Sequence, residues 1–164
     1  MKKLNRKGFT LIELLAVIVI MAIILIVTVP NIINSITDAR ISSIHNLAVS
    51  AANTYNTAYE QDQIATGDKI LGDIPNSVTT TWTCIGTITG LDKVLGLSTN
   101  DLKLTGTPYS DTVTTISNET HCSSIRMTGS GNVEILLVAN TTGKFAVAGQ
   151  TTFAFSTASA ANQK

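Results

Sequence analysis

The chain has 164 residues and no net formal charge; 13% of its residues are charged and 5% aromatic, a size that fits one domain plus an anchor. Four of the 11 Lys and Arg residues (Lys2, Lys3, Arg6 and Lys7) stand ahead of Gly8, where there is no Asp or Glu, so the remainder is mildly acidic. That balance speaks against a general nucleic-acid binder, which needs a basic face, and leaves room only for a small local patch around Arg126 or Lys144.

The first element is apolar. Phe9 to Val29 read FTLIELLAVIVIMAIILIVTV, interrupted only by Thr10, Glu13 and Thr28. As a helix this stretch reaches roughly 31 Å, enough to cross a bilayer core. The basic residues before it set the short end in the cytoplasm and the long end outside. A cleaved secretory signal needs a small-x-small site after the apolar run, but the run ends VTVPNIINS. A lipoprotein signal needs a cysteine there. A plain signal anchor leaves Glu13 unexplained, because a carboxylate in a membrane helix costs roughly 2.5–3.5 kcal/mol and marks function by default.

KGFTLIELL (7–15), followed by an apolar run ending in Pro30, resembles the class III signal of type IV prepilins over roughly residues 6 to 30. The resemblance implies cleavage between Gly8 and Phe9 by a membrane prepilin peptidase, and N-methylation of the new Phe9 amine. Gly8 matches the residue required before the cut, Phe9 the methylated residue, and Glu13 the glutamate at the fifth position of the processed chain. The short leader, residues 1–8, is similar to the type IVa kind. The cleaved chain would carry a positive amine at the tip of an apolar helix. Buried unpaired in a filament core, that amine costs several kcal/mol. Glu13 can offset it in two ways. It can meet its own amine one turn away, or the amine of a neighbouring copy, where it would set register during assembly. The family points to the second.

The helical pattern continues outside the membrane. Ile41, Ile44, Ala48, Ala51, Tyr55 and Ala58 step by three and four, an amphipathic stripe whose alanines allow close approach of a sheet. The helix is expected to run from Phe9 to about Asp62, with Gly67 just past its end. Pro30 removes one backbone hydrogen bond, so the helix either kinks or, as in this family's filaments, unwinds before it. Ala22 stands where many members have glycine.

Residues 63–120 read as a connector. Within it, SVTTTWTCI (77–85) suggests a strand, and LGLSTNDLKL (95–104) a short helix capped by Thr99 or Asn100. HCSSIRMT (121–128), NVEILLVA (132–139) and KFAVAG (144–149) read as three strands separated by turns at GSG (129–131) and NTTG (140–143), with TTFAFST (151–157) as a fourth. The expected class is α+β: a long helix, membrane-spanning over 9–29 and amphipathic over 30–62, packed on an antiparallel sheet within 121–157. Residues 30–164 form the extracytoplasmic domain. The resemblance implies the same arrangement.

So small a core benefits from a staple. Cys84 and Cys122, outside the membrane, favour a disulfide; two reduced buried thiols are the alternative. Many members of the family place their disulfide around the last strand instead.

No catalytic constellation stands out. His45 and His121 lack the repeated carboxylate or cysteine spacing of a metal site, and there is no phosphate-binding glycine loop or nucleophile elbow. Asn118-Glu119-Thr120 and Asn140-Thr141-Thr142 match a glycosylation sequon. The reading is a structural subunit of a type IV pilus, without cofactor, metal or enzymatic activity. It is stored in the cytoplasmic membrane and then polymerised through its amino-terminal helix into an extracellular filament for adhesion, aggregation or twitching motility. The resemblance implies an assembly ATPase and a platform protein as further partners. A pseudopilin of a type II secretion system shares the amino-terminal motif; its major members often carry an acidic carboxy-terminal calcium site, and residues 135–164 contain no Asp or Glu. A minor pilin for DNA uptake would need a basic tip, and a membrane-anchored enzyme an active site.

Overall fold

A computed structural model describes residues 9–72, 74–128 and 132–157, with only the backbone at 75 and 76. The leader 1–8, Gly8 included, and the turn at 129–131 lie outside the described residues. The chain divides into two compact units, Met1–Asp38 and Ala39–Lys164.

Helix α1 spans Leu11–Ile64 and contributes to both units. Its end agrees with the expected one to within two residues, and Gly67 follows. In the first unit every large apolar side chain from Leu11 to Ile36 stands exposed, and the most apolar window has a mean hydropathy of 3.1. Such a surface requires lipid or other helices around it.

In the second unit the alanine stripe is the seam of the core. Ile44, Ala48, Ala51, Tyr55 and Ala58 are all buried, and Ile41 is half-buried. They meet one face of a four-stranded sheet made of β1 (Thr83–Cys84), β2 (Ser124–Met127), β3 (Val133–Val138) and β4 (Phe153–Phe155). The strands run in that order, each antiparallel to the next, with Ser124 opposite Leu136 and Leu137 opposite Ala154. The class is therefore α+β. Val133, Ile135 and Leu137 pack with the helix, while Leu136 and Val138 point to a second cluster with Trp82 and Phe155. Both faces of β3 are thus covered, so most of its residues are apolar.

Polar ties fix helix to sheet. Asn56 Oδ1 accepts the Val133 N–H at 3.2 Å. His45 Nδ1 lies 3.1 Å from the Phe155 carbonyl, which can only accept, so that nitrogen carries the proton. At the helix end, buried Asp62 receives the backbone N–H groups of Ile70 and Leu71, each at 2.7 Å, and turns the chain back over the core.

Several sequence expectations are corrected. KFAVAG (144–149) forms no strand, because its backbone groups go to side chains and to local turns, the Ala146 N–H to the Gly143 carbonyl among them, instead of a ladder. Asp101 Oδ1 accepts the Lys144 N–H at 3.1 Å and the Arg40 guanidinium donates to the Ala146 carbonyl, while Phe145 is still buried in the core. Gly143 lets this segment close onto its neighbour: a Cβ there would lie 2.7 Å from Asp101 Cα. The place beside β3 goes to β4, the expected fourth strand. The helix expected at 95–104 lies earlier, as α3 (Leu91–Val94), entered through Gly90 with its φ of 83°. A further single turn, α2 (Ile74–Ser77), was not expected, and the strand expected at 77–85 shrinks to β1. The expected strand at 121–128 shortens to β2.

The connector is woven into the sheet rather than loose beside it. Past the end of β2, Lys103 N–H donates to the Val138 carbonyl at 2.9 Å and Asn140 N–H to that of Asp101 at 2.9 Å. Asn140 Nδ2 also donates to the carbonyls of Thr99, Asn100 and Leu102. The Cys84–Cys122 disulfide, with Cα atoms 5.7 Å apart, joins the connector to the residues just before β2.

Among the described residues, Tyr55 is the one internal mismatch. It is 1% exposed, its hydroxyl has no hydrogen-bond partner among the described residues, and burial, with a smaller contribution from Tyr59, pushes its pKa up to about 12. An unpaired buried hydroxyl costs about 1–3 kcal/mol. Tyr55→Phe is therefore predicted to raise stability by about 1 kcal/mol, measured by urea unfolding of the chain in detergent. A loss of that size would mean that the hydroxyl is satisfied.

Candidate functional site: the amino-terminal helix

The helix start is built by Thr10 and Glu13. Thr10 Oγ1 accepts the Glu13 N–H at 3.3 Å. Glu13 Oε2 in return accepts the Thr10 N–H at 2.8 Å and its hydroxyl at 3.0 Å. This is a capping box, in which two otherwise orphaned donors of the first turn are satisfied reciprocally. Among the described residues both contacts of the carboxylate fall on Oε2. Within one chain Glu13 is thus a helix cap, a role that the sequence reading passed over although the T-x-x-E spacing of Thr10-Leu11-Ile12-Glu13 announces it. Phe9, just ahead, is exposed.

Pro30 lies inside α1, and the helix is continuous through it. A proline at this position cannot donate to the carbonyl four residues back. The polar residues around it bond carbonyls of the same helix: Thr28 Oγ1 to Ile24 at 2.9 Å, Asn31 Nδ2 to Val27 at 3.2 Å, Ser35 Oγ to Asn31 at 2.9 Å and Thr37 Oγ1 to Ile33 at 3.1 Å. None of these four bonds reaches the Ile26 carbonyl, which Pro30 leaves without its main-chain donor; they add side-chain donors to other carbonyls of the helix. Sequence reasoning named Pro30 but not this side-chain back-bonding.

The other candidate residues are engaged elsewhere. The two histidines are not brought together: His45 is spent on Phe155, while His121 Nδ1 accepts the Ser117 N–H at 3.0 Å. Arg126, one source of a possible basic patch, is neutralised. Its Nε donates to Glu134 at 2.8 Å and its Nη1 to Asp111 at 2.6 Å, and its guanidinium lies 4.6 Å from the Trp82 ring centroid. Asp111 is held below the usual carboxylate range, first by the Trp82 indole N–H and then by Arg126. Lys144 pairs with Asp101 at 3.5 Å. Of the two sequons, Asn140 has its amide committed to three carbonyls, whereas Asn118 lies in a half-exposed turn.

Residues 3–29 match the family model of the prokaryotic N-terminal methylation motif, the class III signal peptide of type IV pilins. No curated protein and no solved structure matches the chain. The matched segment takes in Gly8, Phe9 and Glu13 and ends one residue before Pro30. It supports a pilin-like or pseudopilin precursor, a structural subunit rather than an enzyme, anchored in the membrane by its apolar helix.

Proposed function

We propose that this chain is the precursor of a type IV pilus subunit. Prepilin peptidase removes residues 1–8, the Phe9 amine is methylated, and the product is stored in the cytoplasmic membrane before joining an extracellular filament of its own kind. The observation that carries the reading is the single carboxylate, Glu13, at the head of the apolar, exposed first half of α1, within a methylation motif. After cleavage the new amine would be desolvated as helices bundle, and a carboxylate compensates it. Because the capping box occupies Oε2, Oε1 can take the amine of a neighbouring copy. Pro30, which leaves the Ile26 carbonyl without its main-chain donor, gives the helix a place to bend or unwind as it leaves lipid for the filament. Residues 39–157 supply the filament surface, and an assembly ATPase and platform protein drive polymerisation. Adhesion, aggregation or twitching motility are the outcomes such a filament serves.

A secretion pseudopilin is the second reading, since it shares the motif; the lack of acidic residues over 135–164 favours the pilus. Processing tests both. Gly8→Ala is expected to be cut, whereas Gly8→Leu is expected to leave the eight-residue leader in place, a difference visible by mass spectrometry of the membrane fraction. Normal removal of the leader from Gly8→Leu would overturn the assignment of the cut. Shearing cells and finding this chain as the bulk of surface filaments separates a pilus from a pseudopilus.

A further inference from the structure

We propose that residues 108–120 form a hinged cover that opens locally from the outer face of the sheet while its root stays shut. The root is well defined. Thr107 N–H donates to the Thr120 carbonyl at 2.9 Å, Cys122 N–H returns to that of Thr107 at 3.0 Å, and Cys122 is bonded to Cys84. Gly106 permits the closure, because a Cβ there would stand 2.6 Å from the Thr120 carbonyl oxygen. A compact surface loop with its ends held together in this way is an Ω-loop.

The cover itself is weakly held. No residue from 108 to 120 is buried, whereas Trp82, Leu136, Val138 and Phe155 beneath it are. Two half-buried side chains, Tyr109 and Ile116, pack onto that cluster; the Tyr109 ring lies 5.2 Å from Trp82 and 5.3 Å from Phe155. The remaining anchors are Asp111, which accepts the Trp82 indole N–H at 3.2 Å and the Arg126 guanidinium at 2.6 Å, the Tyr109 N–H, which donates to Ser124 Oγ at 3.2 Å, and the Glu119 carbonyl, which accepts from Lys103 Nζ. The Asp111 side chain is 65% exposed, and ion pairs so exposed stabilise little. Few buried contacts and solvent-facing ties are the marks of a segment that opens well below the free energy of global unfolding. Glu134 keeps Arg126 in place when Asp111 lets go, so opening bares an indole and a phenyl ring beside a positioned guanidinium.

Trp82 is the only tryptophan and reports directly on the cover. The test is acrylamide quenching of Trp82, together with hydrogen exchange, on the full chain in detergent micelles. In the wild type the Val113 amide, bonded within the cover to Ser110, is expected to exchange on the order of 100-fold faster than the amides of β3. Asp111→Asn is expected to raise the Trp82 quenching constant roughly fivefold, the scale of one exposed ion pair, with β3 exchange unchanged. Equal exchange of Val113 and β3 in the wild type would overturn the proposal. So would quenching in Asp111→Asn identical to wild type, or loosening of β3 in step with the cover.

Discussion

Glu13→Val is expected to leave the chain folded, inserted and cut after Gly8, yet to lower surface filaments at least on the order of 100-fold. The substitution makes the membrane-stored form more comfortable, since it removes a carboxylate that costs roughly 2.5–3.5 kcal/mol in a bilayer helix. The loss falls on assembly, where the amine of Phe9 would be left without its counter-charge. Breaking a buried pair from one side costs about 3–5 kcal/mol. Thr10→Val separates capping from charge neutralisation. It removes the hydroxyl half of the capping box but keeps the carboxylate, so a cost of only about 1 kcal/mol is expected, with filaments still formed. Immunoblots of sheared and whole-cell fractions read both. Normal piliation by Glu13→Val would remove the assembly role of this residue.

The second large effect concerns the staple. Joint Cys84→Ser and Cys122→Ser substitution is expected to lower the stability of the outer domain by about 4 kcal/mol, the chain-entropy value for a loop of this length, here closed across a sequence separation of 38. The bridge encloses the later part of the connector, from the end of β1 to the residues before β2. Removing it frees α3, the segment 98–104 and the cover together. Urea unfolding with and without reductant measures the difference. Coincident midpoints for the wild type and the double variant would show that the woven connector holds without the bridge.

How much of this was legible in the sequence depends on how local each cause is. The alanine stripe could be read because helical period and burial coincide within one element, from Ile44 to Ala58. The methylation motif was readable for the same reason, as every part of it lies within one short run. KFAVAG was misread because β-rich composition does not say where backbone donors and acceptors go. Here Asp101 and Arg40, both remote in sequence, claim them. That β3 is covered on both faces was not legible, because its second face meets Trp82 and residues of the connector, whose path is not local information. The Arg126 cluster gathers Trp82, Asp111 and Glu134 from separate segments, and nothing in their spacing announces the meeting. The capping box was in plain view at T-x-x-E and was overshadowed by the charge argument for the same glutamate.

The fold and the motif divide the labour between the two units. The apolar half of α1 carries the signal, the carboxylate and the proline, while the outer domain uses the other half of the same helix as the backing of its sheet.

Intact-mass spectrometry of the chain recovered from sheared surface filaments is the most direct test. The expected species begins at Phe9, carries one methyl group on its amine and lacks the two thiol hydrogens of Cys84 and Cys122. Recovery of this protein only in the cell envelope, still beginning at Met1 and absent from any filament, would contradict the proposed processing and assembly.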